Sequence, residues 1–258
     1  MRVKIWIPFI LLNVGMPATL VERASAAGPP ETISAGDFQL EWTGTINEKD
    51  ESPARIKLQT SRGDIQAKYY SATVNGAPTR RGVVWVGGAG SEREPEGPST
   101  TIYPAVCEQL QKKGIASLRV EYRRPGFVTH CVLDTLCGIA FLHRERIDCI
   151  VLAGHSFGGA VVISAGAVSP IVRAIVPMSS QTEGTEFAPR VSPRKMLLIH
   201  GTADQVLPFS CSEEIYARAR EPKELRLFKG AGHNLDESRQ EIIDFLADWI
   251  PRVGLNDQ

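Results

Sequence analysis

Ser156 stands among glycines in Gly154-His155-Ser156-Phe157-Gly158-Gly159, directly after the strand-forming run Ile150–Ala153. Glycine two positions before and two after a serine marks a backbone that turns too sharply, or runs too close to another backbone, to carry a side chain. A hydroxyl presented on such a turn can act as a nucleophile only with help, because it is feeble near neutral pH until a base takes its proton. Two later segments hold side chains suited to that work. His-Gly-Thr-Ala-Asp-Gln-Val-Leu-Pro at 200–208 carries Asp204, and Gly-Ala-Gly-His-Asn at 230–234 carries His233. An imidazole can accept the serine proton and hand it to a leaving group. A carboxylate can hold that imidazole in one tautomer and stabilise its cation. Each residue also has a plainer reading: Ser156 as a turn that opens a helix, Asp204 as a cap or turn former, His233 as a loop histidine. Glu183 or Glu186 could supply the acid in place of Asp204. The other histidines read as structural. His155 should turn its side chain away from Ser156, His200 takes a strand-end packing position, and His130 and His143 lie on a helix.

Residues so far apart in sequence can meet only if a sheet carries them to a common rim. The runs Val83–Val86, Ile115–Tyr122, Ile147–Ala153, Ile171–Met178 and Met196–His200 are nearly continuous in apolar or β-branched residues, the pattern of parallel strands covered on both faces. Helix-like stretches separate them, at 103–114, 129–143 and 158–168, with SCSEEIYARARE and SRQEIIDFLADWI further on. In the last, Ile242, Leu246 and Trp249 fall at helical spacing and give one face to lay on a sheet. RIKLQTSRGDIQAKYYSATV reads as two strands joined by a turn at Ser61-Arg62-Gly63-Asp64. Strand–helix alternation predicts an α/β fold, with a mostly parallel, doubly wound sheet preceded by an antiparallel hairpin. One domain is expected over 36–252, with a tail at 253–258. In such sheets ligands collect beyond the carboxyl ends of the strands, where Ser156, Asp204 and His233 all fall.

GHSFGG, IHGTADQVLP, GAGHN and the earlier VVWVGGAG, in this order and at these strand ends, resemble the α/β-hydrolase superfamily, and within it the small dienelactone-hydrolase-like serine hydrolases. The likeness spans residues 55–252. It implies the α/β-hydrolase fold, a Ser156–Asp204–His233 triad in the chain order of that fold, and an oxyanion hole of backbone amides. Phe157, next to the serine, supplies one amide. Matching Val86-Gly87-Gly88-Ala89 to the family's His-Gly-X loop places the second at Ala89, although Gly87 stands where the family carries histidine. The implied reaction is hydrolysis of a small carboxylic ester, lactone or thioester through an acyl-enzyme, with no metal and no organic cofactor. A non-catalytic binding protein on the same fold and an acyltransferase using the same triad are the alternatives. Only SSQTEGTEFAPRVSPRK separates Met178 from the strand at Met196, too little for a multi-helix cap, so an open site is expected. Arg123 and Arg124, at another strand end, could hold a substrate carboxylate, a task for which arginine is suited.

Composition narrows the partners. Lys+Arg and Asp+Glu each number 29 in 258 residues, for a formal net charge of zero. No basic run argues for nucleic acid or an anionic membrane surface, so the expected partner is a small-molecule substrate. MRVK, the apolar run Ile5–Leu12 and Ala24-Ser25-Ala26 follow the plan of an export signal over 1–26, too short to span a membrane stably, with a linker at 27–35. Export to the periplasm or medium is expected, and an uncleaved anchor or a cytoplasmic chain is the alternative. Five cysteines, Cys107, Cys131, Cys137, Cys149 and Cys211, show no metal-ligand spacing. Cys131 and Cys137, on one helix and roughly 9 Å apart along its axis, should not bridge. Free thiols are expected.

Overall fold

The structure, a computed structural model, describes residues 52–90 and 97–253. The export signal at 1–26, the linker at 27–35, the first residues of the expected domain and the tail beyond Val253 lie outside the described residues.

The described residues open with the expected hairpin. Strands β1 (Ala54–Leu58) and β2 (Ile65–Tyr70) pair antiparallel, with Leu58 opposite Ile65. Gly63 closes the turn at φ +106, donating its N–H to the Thr60 carbonyl at 3.1 Å; a side chain there would be strained. Ile56, Leu58, Ile65 and Ala67 are buried while Arg55, Lys57 and Gln66 are exposed, the alternation of a sheet edge covered on one face. A two-stranded ribbon, β3 (Thr73–Val74) with β4 (Ala77–Pro78), leads into β5 (Arg81–Val86).

Alternation then follows. A single helical turn, α1 (Pro98–Thr101), and helix α2 (Tyr103–Lys112) precede β6 (Ala116–Val120). Helix α3 (Val128–Arg144) precedes β7 (Cys149–His155), and α4 (Phe157–Val168) precedes β8 (Val172–Met178). The chain ends with β9 (Lys195–Gly201), α5 (Ser210–Arg218), β10 (Lys223–Phe228) and α6 (Arg239–Trp249). The described residues form an eight-stranded sheet in the order β1-β2-β6-β5-β7-β8-β9-β10. It is parallel from β6 to β10, and β2 runs antiparallel to β6.

Both faces are covered. Helices α3, α4 and α5 lie over Val84, Leu118, Leu152 and Leu198. Helices α2 and α6 lie over Val83, Trp85, Val151 and Leu197, so alternate residues of one strand serve opposite cores. Helix α4, FGGAVVISAGAV, is apolar on all sides and buried over Phe157–Gly166, as a helix enclosed on every side should be. The chain steps from β5 outward to β6 and then returns past β5 to β7. The reversal falls between β5 and β7, and ligands of such sheets bind beyond the carboxyl ends of the strands at such a point.

Strand boundaries shift slightly from the sequence expectation. β7 runs on to His155, because its ladder with β5 continues to Val86↔Gly154 and that with β8 to His155↔Met178. β6 is shorter, leaving Ile115, Glu121 and Tyr122 outside the strand. Among the described residues between β8 and β9, the helical structure is one 3-10 turn, Ala188–Arg190, and no large cap covers the sheet. All five cysteines are free, and Cys107, Cys131 and Cys137 are buried; burial pushes the thiols of these three up to about 12. No described helix is long and apolar enough to cross a membrane.

Candidate active site

Ser156 links β7 to α4 with φ 55 and ψ −122, backbone that only glycine enters without strain. The flanking glycines hold it there. A Cβ on Gly154 would lie 2.2 Å from the Gly158 carbonyl oxygen, one on Gly158 2.4 Å from the Gly87 carbonyl oxygen, and one on Gly159 2.4 Å from Ser180 Oγ. Three glycines thus press the elbow against its own helix, the β5 loop and the β8 loop. The Ser156 N–H donates to the Met178 carbonyl at 2.8 Å, pinning the turn to β8. Its side chain is left partly exposed.

Asp204 follows β9 in a tight turn. Its Oδ1 accepts the Val206 and Leu207 N–H groups, both at 2.8 Å, and Oδ2 accepts His233 Nδ1–H at 2.8 Å. Burial raises this carboxyl, but the bonds from His233 and from the Leu207 and Val206 amides outweigh it and hold the group below the ordinary carboxylate value. His233 lies in the loop after β10, which is anchored on several sides. Ala203 N–H donates to the Ala231 carbonyl at 2.9 Å. Glu237 Oε2 accepts the Gly232 N–H at 2.9 Å, which lowers its carboxyl. Gly201 admits this loop, since a Cβ there would lie 2.2 Å from the Ala231 oxygen. With Nδ1 committed to Asp204, Nε2 is the imidazole nitrogen left for other chemistry. Among the described residues the Ser156 hydroxyl makes no hydrogen bond to it. Such bonds are often long before substrate binds.

Glu183 and Glu186, the alternative acids, are exposed, and Glu186 caps the Gly184 N–H at 3.3 Å. The carboxylate on the imidazole is that of Asp204.

Two histidines that read as structural border this pair. His155 is buried, its Nε2 donating to the His233 backbone carbonyl at 2.8 Å, and the two rings lie 4.7 Å apart. Burial, reinforced by His233, brings His155 down to about 4, so it stays neutral near pH 7. His200 does pack at a strand end, fully buried, but its Nε2 also faces Asp204 Oδ2 at 3.1 Å. That contact is a finding of the structure. Its signal in the sequence is the His-x-x-x-Asp spacing across the end of β9.

The amide of Phe157 is the first of α4 and has no intrahelical acceptor. The β5 loop passes beside it: a Cβ on Gly88 would lie 3.5 Å from Ser156 Cβ, while Ala89 is exposed. Tyr103, buried against Trp85, donates its hydroxyl to the Val86 carbonyl at 3.0 Å and steadies the start of that loop.

Arg123 is held by its own chain. Its Nε and Nη2 donate to Asp134 Oδ1 at 2.8 and 2.5 Å, and Nη1 donates to Thr60 Oγ1 at 3.1 Å. The carboxylate it holds is the chain's own, fully buried on α3. Arg124 lies over the Phe127 ring at 5.1 Å. No cluster of potential metal ligands occurs among the described residues.

Sheet order, elbow and uncapped rim together define the α/β-hydrolase fold. The structure superposes on an esterase domain from Rhodothermus marinus with a TM-score of 0.62 and 17% identity, covering 77% of this chain and 98% of that one. It superposes on the dienelactone hydrolase of Anabaena variabilis with a TM-score of 0.62 and 17% identity, covering 84% and 99%. In sequence it is similar to the uncharacterized protein YfhR of Escherichia coli K12, 28% identical over 136 residues, covering 40% of this chain and 48% of YfhR. The chain therefore spans about half the length of that curated relative. No protein-family model matches it.

Proposed function

We propose that the protein is a serine hydrolase that cleaves a small carboxylic ester, lactone or thioester through an acyl-enzyme on Ser156. The observation that carries this reading is the 2.8 Å bond from His233 Nδ1 to Asp204 Oδ2 at the same sheet rim as a serine held on a strained elbow. His233 Nε2 takes the Ser156 proton as Oγ attacks the acyl carbon, then gives it to the leaving alcohol, enol or thiol. Asp204 keeps the proton on Nδ1 and stabilises the imidazolium. The Phe157 amide and an amide of the Gly87–Ala89 loop receive the oxyanion. Water repeats the sequence to release the acid. Esterase and dienelactone hydrolase activities named for proteins of the same fold agree with this class of substrate.

A fluorophosphonate probe tests it. Wild type should be labelled and Ser156→Ala should not, and the label should coincide with turnover of short soluble esters, lactones or thioesters. Absence of label on wild type refutes the reading and favours a binding protein. Product analysis with added alcohols separates hydrolysis from acyl transfer.

A further inference from the structure

Asp204 Oδ2 serves two imidazoles: His233 Nδ1 at 2.8 Å and His200 Nε2 at 3.1 Å. His200 Nε2 also faces the Leu207 carbonyl at 3.0 Å. An ionised carboxylate and a carbonyl only accept hydrogen bonds, so this nitrogen must carry the proton. A neutral imidazole protonated at Nε2 presents a lone pair at Nδ1, and there Ser212 Oγ stands at 2.7 Å, the distance of a hydroxyl donor. Every polar atom of the ring is thereby satisfied, and one tautomer is fixed.

We propose that His200 is a positioning residue for the Asp204–His233 pair, sharing the carboxylate oxygen that holds His233 and so both orienting Asp204 and setting the strength of its bond to His233. This rests on the hydrolase reading for its functional meaning. Filling of space alone does not account for this geometry, since an apolar side chain would leave Asp204 Oδ2 to one donor. Burial lowers His200, against the Leu207 carbonyl and Asp204, which raise it, so the ring donates without bringing a competing positive charge. The titratable groups around the pair are His155 from β7, His200 from β9, Cys211 from α5 and Glu237 from the turn before α6. His155 bonds the His233 backbone and Glu237 bonds the Gly232 backbone. The Cys211 thiol is raised, by burial first and then by Glu183, Glu214 and Asp204. Among these, His200 is the one that hydrogen-bonds the carboxylate.

The sign follows. An N–H on Oδ2 shares the charge of the oxygen that accepts from His233, so removing it should tighten the His233 Nδ1–H bond. The test is the proton NMR resonance of His233 Nδ1–H at fixed pH, with steady-state kinetics and fluorophosphonate labelling in parallel, in wild type, His200→Phe, His200→Gln and Ser212→Ala. In His200→Phe that resonance should move downfield. Its kcat should fall about ten- to hundredfold, with KM within about twofold. His200→Gln, which can still place an N–H on Asp204, should restore most of both. Ser212→Ala weakens donation by His200 and should move the resonance the same way by a smaller step. A resonance that stays or moves upfield in His200→Phe, or a Gln variant no better than Phe, overturns the proposal. If His200→Phe does not fold, an unmoved resonance in Ser212→Ala overturns it. The resonance needs no turnover, so an unlabelled wild type would count against the hydrolase reading and leave this result to stand or fall on its own.

Discussion

His155 should make folding stability depend on pH on the acid side of neutrality. Its imidazole is buried and held near 4 in the folded chain, against an ordinary value of 6.5. Between those values the unfolded chain binds the proton and the folded chain does not, so stability must fall as the solution is acidified. The contribution is whole above pH 6.5, declines below it, and is lost at about pH 4. At about 1.4 kcal/mol per pH unit, that gap corresponds to roughly 3 kcal/mol, a large part of the margin of an ordinary domain. His200 is lowered as well and acts in the same direction. Asp204 and Glu237, held below ordinary carboxylate values, lose their contributions at lower pH still. Urea unfolding at half-unit steps from pH 7.5 to 4, followed by tryptophan fluorescence and circular dichroism, would trace the curve. His155→Gln keeps an N–H for the His233 carbonyl and removes the titration. Its curve should be flatter than wild type by up to about 1.4 kcal/mol per pH unit within the window. A wild-type curve that is level from pH 6.5 to 4, or a variant with an unchanged slope, would refute the reasoning, whatever the variant's stability at pH 7.

Two further substitutions test the scaffold. Gly158→Ala places a methyl 2.4 Å from the Gly87 oxygen and 3.2 Å from the Val86 oxygen, both backbone; it should cost about 2–3 kcal/mol in a thermal or urea melt and abolish probe labelling, and an unchanged midpoint would show the elbow to be looser than it stands. Arg123→Ala leaves the fully buried Asp134 carboxylate without its partner and should cost about 3–5 kcal/mol in urea unfolding, whereas unchanged stability with a raised KM for anionic esters would return Arg123 to substrate binding.

The elbow was legible because its glycines cluster in sequence. Glycine at 154, 158 and 159 answers close approaches to the turn's own helix, to the Gly87 loop and to Ser180, so six neighbouring letters carry requirements that distant segments impose. Asp204 and His233 were legible through a coarser rule, that loops after parallel strands share one rim. Arg123 illustrates the limit of that rule. Its place beyond β6 was right, but its partner is Asp134 on the following helix, and neither residue's neighbourhood reveals whether a charge will meet solvent, substrate or its own chain. His200 shows the converse. A buried histidine at the end of a strand is ordinarily a packing residue, and only the tightness of the turn to Asp204 brings its nitrogen onto the carboxylate. The Gly87–Ala89 loop lies between these cases: the family likeness pointed to Ala89, and the structure shows that a Cβ on Gly88 would lie 3.5 Å from Ser156 Cβ.

Among the described residues β10 is bounded by β9 on one side and has no strand on the other, and the loop that bears His233 hangs from it. The serine, by contrast, is anchored in the middle of the sheet. Loosening that outer border would carry His233 away from Ser156 while the centre of the molecule stayed intact. On the proposed reading, the pairing of these two residues is only as durable as the sheet's margin, and persistence as a folded body is a separate property.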